Sequence, residues 1–269
     1  MHSMAELQRR ELNMIELLVM GKEIYQVHWR QVLRLVLWIG LPIQLVLQLV
    51  GLLVGNQLAA LDLTAIATDP AVAEAFLASG QWVQIVGNYL VLMILSAILY
   101  PLLLLAVANY ANHALRGTPM TVQAAVLGML QRAWVVVPAA IIYEIAVGAG
   151  LIALILPGLY AIVKLFFYLY AIILEDKGVF GCLKRSMELT YGFFGKTAMA
   201  ALLLMGLSYT GTYLLDLIFS VLGYSYTANV VFGLCNMALD AFFAVVMTLY
   251  YFNRVAVMEE DLPRSTGLL

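Results

Sequence analysis

The chain has 269 residues, of which 64% are hydrophobic and 11% are charged, and its formal net charge is −2 at pH 7. Soluble domains carry about 25% charged residues, so this composition excludes an ordinary soluble domain. The slightly acidic balance also excludes a basic nucleic-acid-binding surface. Cys182 and Cys235 lie far apart in a pattern that predicts neither a disulfide framework nor a metal site.

Six long apolar stretches predict an all-α, polytopic membrane protein. A transmembrane domain at residues 32–253 follows an N-terminal segment at 1–31 and precedes a tail at 254–269. The fourth stretch has only about 16 residues, which is short for about 30 Å of hydrocarbon, so we expect it to sit centrally or to tilt little. The predicted spans cover residues 35–54, 83–110, 133–156, 159–174, 197–222 and 228–252.

The N-terminal segment carries apolar residues at helical spacing, with most charged residues on other faces. This pattern predicts an amphipathic helix, which either lies on the cytoplasmic membrane surface or packs against the cytoplasmic mouth of the bundle. The first apolar run begins near Val32 and is long enough to span, so we expect a transmembrane helix there and no cleaved signal peptide. The apolar face comprises Met14, Leu17, Leu18, Gly21, Tyr25 and His28.

The first connection between spans, residues 56–82, contains acidic residues and no base. Asp69 followed by Pro70 is a favourable helix start, with an N-cap and then a residue suited to the first turn. Ser79 and Gly80 form a plausible stop signal. The pattern predicts a short helix that caps the outer face.

Two cytoplasmic connections also contain apolar residues at helical spacing. Residues 112–132 predict another interfacial helix. Residues 175–196 predict an in-plane elbow helix whose apolar face comprises Phe180, Leu183, Met187, Tyr191 and Phe194. Its basic side is a candidate contact for anionic lipid headgroups on the cytoplasmic side, through Lys177, Lys184, Arg185 and Lys196.

Lysine and arginine are distributed asymmetrically along the chain. Thirteen of the 14 fall before the first span, in the second connection, in the fourth connection or in the tail, and the first, third and fifth connections carry none. Cytoplasmic connections of inner-membrane proteins are enriched in these residues. The pattern therefore predicts a multi-pass protein of the bacterial inner membrane with both termini in the cytoplasm. The exception, Lys164, lies inside the fourth span.

One stretch of about 40 residues resembles a known family. A Pro157-Gly158 turn on the outer side is followed by an aromatic-rich span, by EDKGVFG at 175–181 and by LKRSMELTYG at 183–192. This order resembles the YciC-like family of bacterial inner-membrane proteins, which is related to the membrane domain attached to some glycerophosphodiester phosphodiesterases. The resemblance implies a fold and a compartment but no mechanism. The phosphodiesterase active site belongs to a separate soluble domain, so the resemblance does not extend that activity to this chain.

Four ionisable residues lie within predicted spans: Glu144, Lys164, Asp216 and Asp240. A charge near the bilayer centre costs at least about 2.5–3.5 kcal/mol, which makes each residue a candidate buried polar or transport site. Glu144 and Lys164 fall on adjacent antiparallel spans, and the favoured interpretation is a structural ion pair. The alternatives are a role coupled to protons or headgroups, or a Lys164 that snorkels outward while Glu144 is protonated.

Asn236 and Asp240 stand one helical turn apart on the sixth span, and Asp216 lies on the adjacent fifth span. Polar side chains in such positions form hydrogen bonds between helices, which we favour over an ion site. An ion site would need several oxygens to converge, and a sequence pattern does not establish convergence.

The sequence carries no catalytic, metal or cofactor motif and has three histidines in all. We therefore expect a non-enzymatic integral inner-membrane protein, without cofactor, metal or nucleic acid, that organises or binds lipid or protein partners. Another membrane protein or a second copy of the chain is a further candidate partner. The alternative is a small-molecule or lipid transporter, or the membrane subunit of one, that uses the intramembrane charged residues. A membrane-embedded enzyme is disfavoured.

Overall fold

The structure is a computed structural model that describes residue 7 and residues 10–59, 61–118, 120–223 and 225–259. Predictions for residues 1–6, for Arg9, for Tyr224 in the last connection and for the tail from residue 260 onward, which includes Arg264, lie outside the described residues. The described residues are almost entirely helical and contain no strand.

The helices follow one another with short connections. They are α1 (Met14–Leu35), a π-helical turn (Val36–Gly40), α2 (Leu41–Ala59), α3 (Leu63–Thr68), α4 (Pro70–Ser79), α5 (Gln81–Leu115), α6 (Val122–Ala153), α7 (Ile155–Lys164), α8 (Tyr168–Glu175), α9 (Val179–Thr190), α10 (Phe194–Leu222) and α11 (Tyr226–Glu259).

Six helical segments of the described chain are long and apolar enough to cross a membrane. This result confirms the all-α prediction of six spans. The segments are Met14–Leu52, Gln81–Leu115, Val122–Ala153, Ile155–Glu175, Phe194–Val221 and Tyr226–Glu259.

The N-terminal helix continues into the first span without a break, so the border predicted between residues 31 and 32 falls inside one long helix. The Asn13 side chain accepts a hydrogen bond from the Glu16 amide at 2.8 Å, and the Glu16 carboxylate accepts one from the Asn13 amide at 2.9 Å. This reciprocal cap satisfies two backbone donors at the start of α1. The Tyr25 hydroxyl donates to the Ala238 carbonyl at 3.1 Å, so α1 lies against α11. The helix therefore packs against the bundle, and its cytoplasmic placement stays a prediction.

The short helix predicted in the first connection is confirmed as α4. The Asp69 carboxylate accepts a hydrogen bond from the Ala71 amide at 2.9 Å, and Pro70 occupies the first turn. Gly80 ends the helix with φ of 70°, in the left-handed region that favours glycine. A preceding turn of helix, α3, begins at a second aspartate cap, Asp62, which accepts from the Ala65 amide at 2.9 Å.

The interfacial helix predicted within residues 112–132 is not a separate element. Thr121 caps α6 by accepting a hydrogen bond from the Ala124 amide at 3.2 Å, and the helix then runs without interruption to Ala153. Pro138 lies inside α6 but does not end it. The apolar-periodic residues at 122–129 therefore form the first turns of the third span.

The connection between the third and fourth spans differs from the predicted turn at Pro157-Gly158. The chain reverses at Leu154, which is extended (φ −163°, ψ 137°), and both predicted turn residues lie in the first part of α7. A proline is tolerated there because the first helical residues have no intrahelical acceptor for an N–H group. Gly150 packs directly on Gly158: a Cβ atom on Gly150 would lie 2.7 Å from the Gly158 nitrogen.

The fourth span is two helices, α7 and α8, separated by a break at residues 165–167. One side chain satisfies the backbone at this break. The Ser186 hydroxyl donates to the Lys164 carbonyl and accepts from the Phe167 amide, both at 2.9 Å. The Lys164 carbonyl and the Phe167 amide therefore both have hydrogen-bond partners, as buried polar backbone groups require.

Ser186 belongs to the predicted elbow helix, α9, which packs back along α8. Its buried face comprises Cys182, Leu183, Ser186, Leu189 and Thr190, so only Leu183 of the predicted apolar face points inward. Phe180, Met187 and Tyr191 are exposed instead. α9 therefore has two apolar sides: one is buried against the protein, and the other is exposed on the protein surface.

The closely packed core lies at one end of the bundle, where α1 begins, α8 meets α9 and α11 ends. We call this the base-rich end. Among the described side chains, no hydrophobic residue within 45–102 or 205–232 is buried, whereas the stretches 103–111 and 165–173 are largely buried. Apolar residues cover the opposite half; Ile152 is 90% exposed and Val221 is 84% exposed. Lipid tails are as apolar as these side chains, so no hydrophobic force drives those helix surfaces together.

Candidate ligand sites at the edge of the packed core

Lys164 ends α7 and lies among aromatic rings from α7, from the residue that follows α9 and from the first residue of α10. Its Nζ atom is 5.7 Å from the ring centroid of Tyr160, 5.8 Å from that of Tyr191 and 6.0 Å from that of Phe194. Tyr160 and Phe194 stack on each other with centroids 5.4 Å apart. Within about 6 Å of a ring face, an ammonium group is attracted by the ring quadrupole. We call Lys164 and these three rings the Lys164 site.

The Lys164 site has no internal counter-charge among the residues that the structure describes, because no carboxylate there lies within ion-pair distance of Lys164. The site is also accessible from outside the protein. Tyr191 is 81% exposed and Tyr160 is 55% exposed, while Lys164 is half-buried. The ammonium therefore lies at an aromatic surface that an external anion can reach.

A second feature is an open groove of about 500 Å³ between α5, α6, the 166–170 segment and α11. Five aromatic rings line it, and Glu144 is the one charged residue in its lining as described. The remaining lining side chains are apolar or small, apart from Ser96. We call this the tyrosine groove; its rings are those of Tyr100, Tyr143, Phe166, Tyr168 and Tyr170.

The tyrosine groove is built by the four helices α5, α6, α8 and α11 and by the break in the fourth span. Tyr143 precedes Glu144 on α6, and its ring stacks on that of Tyr168 with centroids 4.9 Å apart and planes 18° apart. Phe166 comes from the break itself, so the interruption of the helix turns aromatic side chains toward α5 and α6. The aromatic-rich span is evident in the sequence, but its pattern does not identify these rings as a site.

Asp240 lies behind the tyrosine groove, on α11. The Ser208 hydroxyl donates to its carboxylate at 3.4 Å, a contact that joins α10 and α11. The Asp240 carboxylate is also within electrostatic reach of the hydroxyls of Tyr100 and Tyr170. Two acidic residues thus lie close to these rings: Glu144 in the lining of the groove, and Asp240 near Tyr100 and Tyr170.

The structure does not bring together all the predicted intramembrane site residues. Asn236 donates to the Phe232 carbonyl of its own helix at 3.2 Å. Asp216 lies on α10, outside the lining of the tyrosine groove. No ion pair joins Glu144 and Lys164, whose surroundings share no residue. The favoured structural ion pair is therefore not formed.

Arg185, a candidate headgroup contact, is engaged inside the protein. Its guanidinium lies 2.9 Å from the Glu175 carboxylate and also pairs with Glu259. The Tyr251 hydroxyl donates to the same Glu175 carboxylate at 2.6 Å. Burial by itself would lower the pKa of Arg185, but its bonds to Glu259 and Glu175 outweigh that effect and raise this pKa above its usual value.

Lys196 is engaged in a second internal cluster, with Glu11 and Arg254. The Lys196 ammonium lies 2.9 and 2.8 Å from the two Glu11 oxygens, and the Arg254 guanidinium lies 3.6 Å from one of them. The Arg254 side chain is 1% exposed and packs 3.6 Å from the Phe193 ring centroid. The sequence pattern does not predict the burial of Glu11 and Arg254.

The other two headgroup candidates, Lys177 and Lys184, remain accessible. Their side chains are 43% and 77% exposed, and their ion pairs with Glu175 and Glu188 are long, at 3.6 and 3.9 Å. Contact of any of the four bases with lipid headgroups stays a prediction. The structure does separate two that lie in internal clusters from two that face outward.

The fold defines an integral membrane protein of six apolar helices with a packed, base-rich end. In the described part of the chain, no group of three or more His, Cys, Asp or Glu side chains is placed to hold a metal ion. No family model, curated protein or solved structure matches the chain.

Proposed function

We propose that this is a non-enzymatic, YciC-like protein of the bacterial inner membrane that binds anionic phospholipid headgroups at its base-rich end. In this proposal the base-rich end and both termini face the cytoplasm. The distribution of lysine and arginine supports the orientation, because cytoplasmic connections are enriched in these residues. The lack of catalytic motifs supports a binding role.

The Lys164 site is the observation that carries the proposal. A lysine ammonium beside apolar helices is costly unless it reaches the interface or meets an anion. The three rings stabilise the ammonium in place, yet the described residues supply no carboxylate for it. A lipid phosphate would complete the charge pair, and the hydroxyls of the exposed Tyr160 and Tyr191 are donors of the kind that phosphate oxygens accept.

Lys177 and Lys184 extend this surface. Both are exposed on the same end of the bundle as the internal ion-pair clusters. A basic side chain near an anionic membrane surface contributes about 1 kcal/mol of attraction. Together with Lys164 they offer three separate positive charges, which fits a layer of anionic headgroups better than a single soluble ligand.

The test is retention of phosphatidylglycerol by the purified full-length protein, measured by native mass spectrometry after release from nanodiscs. We expect the wild type to retain phosphatidylglycerol in preference to phosphatidylcholine. Lys164→Gln should retain about tenfold less phosphatidylglycerol, as expected for a lost charge-assisted hydrogen bond. Lys22→Gln is the matched control, since it removes the same charge from an exposed position on α1. Equal retention by wild type and Lys164→Gln would exclude the site.

Transport is a second candidate function, favoured by the proximity of Glu144 and Asp240 to one groove. Lys164 and Asp216 do not contribute to that groove, so the four intramembrane charges do not converge on a single pathway. Transport would be established if proteoliposomes with the wild type take up a small molecule or lipid and if Glu144→Gln and Asp240→Asn abolish this uptake.

A further inference from the structure

We infer that the tyrosine groove is a binding site for a hydrophobic organic cation, such as a lipophilic ammonium or phosphonium compound. This inference is independent of the proposed binding of anionic headgroups, because the two sites share no residue. It rests on the aromatic lining of the groove, on its charge and on its access from the membrane side.

The aromatic lining provides the surfaces that organic cations prefer. Five rings surround a space of about 500 Å³, within the size range of small-molecule sites. The face of an aromatic ring carries negative potential, and cages of such rings bind quaternary ammonium groups. Met93, Leu104 and Met247 supply apolar surface in the same groove for the hydrophobic part of a ligand.

The charge of the lining favours a ligand of positive charge. Glu144 is the charged residue of the described lining, and the structure gives its carboxylate no hydrogen bond or ion pair from the described chain. Among the described residues, no lysine, arginine or histidine lines the groove. Asp240 places a second carboxyl group near Tyr100 and Tyr170. A carboxylate in apolar surroundings requires a counter-ion or a proton, and a bound cation supplies the former.

Access to the groove is lateral. Met93 is 66% exposed, and Glu144 is also exposed on the outer surface of α6. Both residues belong to segments long and apolar enough to cross the membrane. A ligand therefore enters from the hydrocarbon phase, where hydrophobic cations partition and hydrophilic ones do not. A soluble ion or sugar would reach the groove only by leaving water.

The experiment uses tetraphenylphosphonium and tetraphenylborate, which have nearly the same shape and opposite charge. We expect purified full-length protein in nanodiscs to bind radiolabelled tetraphenylphosphonium saturably. Dodecyltrimethylammonium should displace it and tetraphenylborate should not. Glu144→Gln should weaken binding about tenfold, as expected for loss of a desolvated charge contact, and Tyr100→Leu should weaken it through loss of one ring.

The matched control is Glu74→Gln, the same chemical change on the exposed outer helix α4, which should bind like the wild type. Three outcomes would overturn the inference: no saturable binding by the wild type, equal competition by tetraphenylborate, or unchanged binding by both groove variants. Competition between the two probes for the wild-type protein shows which charge the groove prefers, even if a groove variant fails to fold. Phosphatidylglycerol retention, measured on the same preparations, reports separately on the Lys164 site.

Discussion

Glu144 and Lys164 stand at the same level of the α6–α7 hairpin but face different aromatic clusters. Each is six residues from the Gly150–Gly158 contact, counted along its own helix. Glu144 nevertheless lines the tyrosine groove, whereas Lys164 lies over Tyr160, Tyr191 and Phe194. Equal depth on neighbouring helices therefore does not make an ion pair, because the direction of each side chain around its helix decides what it meets.

The separation of these two charges predicts that they contribute independently to stability. In a double-mutant cycle with Glu144→Gln and Lys164→Gln, we expect a coupling energy within about 0.5 kcal/mol, the range for residues without shared partners. The measurement is the free energy of unfolding in mixed micelles titrated with sodium dodecyl sulfate. A coupling energy well above this range would show that the two residues interact after all.

The Gly150–Gly158 contact predicts a sharp sensitivity to side-chain size. Gly150→Val would place its Cβ 2.7 Å from the Gly158 nitrogen, so the hairpin must separate. We expect a loss of about 2 kcal/mol, typical of overpacking. Gly148→Val, two residues away on the same helix, is the control because a Cβ there meets nothing within 4 Å. Equal unfolding free energies for the two variants would contradict the close approach of α6 and α7.

The cluster of Glu11, Lys196 and Arg254 predicts that the N-terminal segment stabilises the base-rich end. Glu11→Ala removes the buried carboxylate that lies beside both the Arg254 guanidinium and the Lys196 ammonium, and we expect the free energy of unfolding to fall by about 3 kcal/mol, as for a broken buried pair. Chemical unfolding followed by circular dichroism measures the change. Glu74→Ala, on the exposed α4, should be neutral. A neutral Glu11→Ala would mean that the cluster contributes little.

The Cys182 thiol should be inert in the folded protein. Cys182 is fully buried on α9, and burial raises its pKa to about 11. Since the thiolate is the reactive form, the fraction available at pH 8 is far smaller than for an ordinary cysteine thiol. We expect maleimide to label Cys182 slowly at pH 8 and rapidly after unfolding in sodium dodecyl sulfate, measured by peptide mass spectrometry in a Cys235→Ser background. Rapid labelling of the folded protein would contradict the burial of α9.

Reporter fusions test the orientation of the bundle. A periplasm-active phosphatase fused after Ser79 should be active, and the same enzyme fused after Gly192 should be inactive. A cytoplasm-active reporter should give the reverse pattern. Inversion of both results would refute the cytoplasmic placement of the base-rich end, on which the contact with anionic headgroups depends.

Several features followed from local sequence alone. The helix at Pro70–Ser79 was predicted with both of its ends because an aspartate cap, a first-turn proline and a glycine stop act within a few residues. The turn between the third and fourth spans was misplaced by about one helical turn for a related reason. Proline suits a tight turn and the start of a helix equally well, so local pattern does not distinguish Leu154 from Pro157 as the point of reversal.

The sequence by itself determined the number of spans, their apolar character and the asymmetry of the bases, since hydropathy and local charge are properties of consecutive residues. Only the tertiary structure decided which charged side chains form ion pairs within the protein. Glu175 and Glu259 pair with Arg185, and Glu11 pairs with Lys196. Lys164 instead lies beside aromatic rings. The tertiary structure also gathered the rings of the tyrosine groove around Glu144. These pairings depend on the rotation and convergence of helices distant in sequence, which no local pattern encodes.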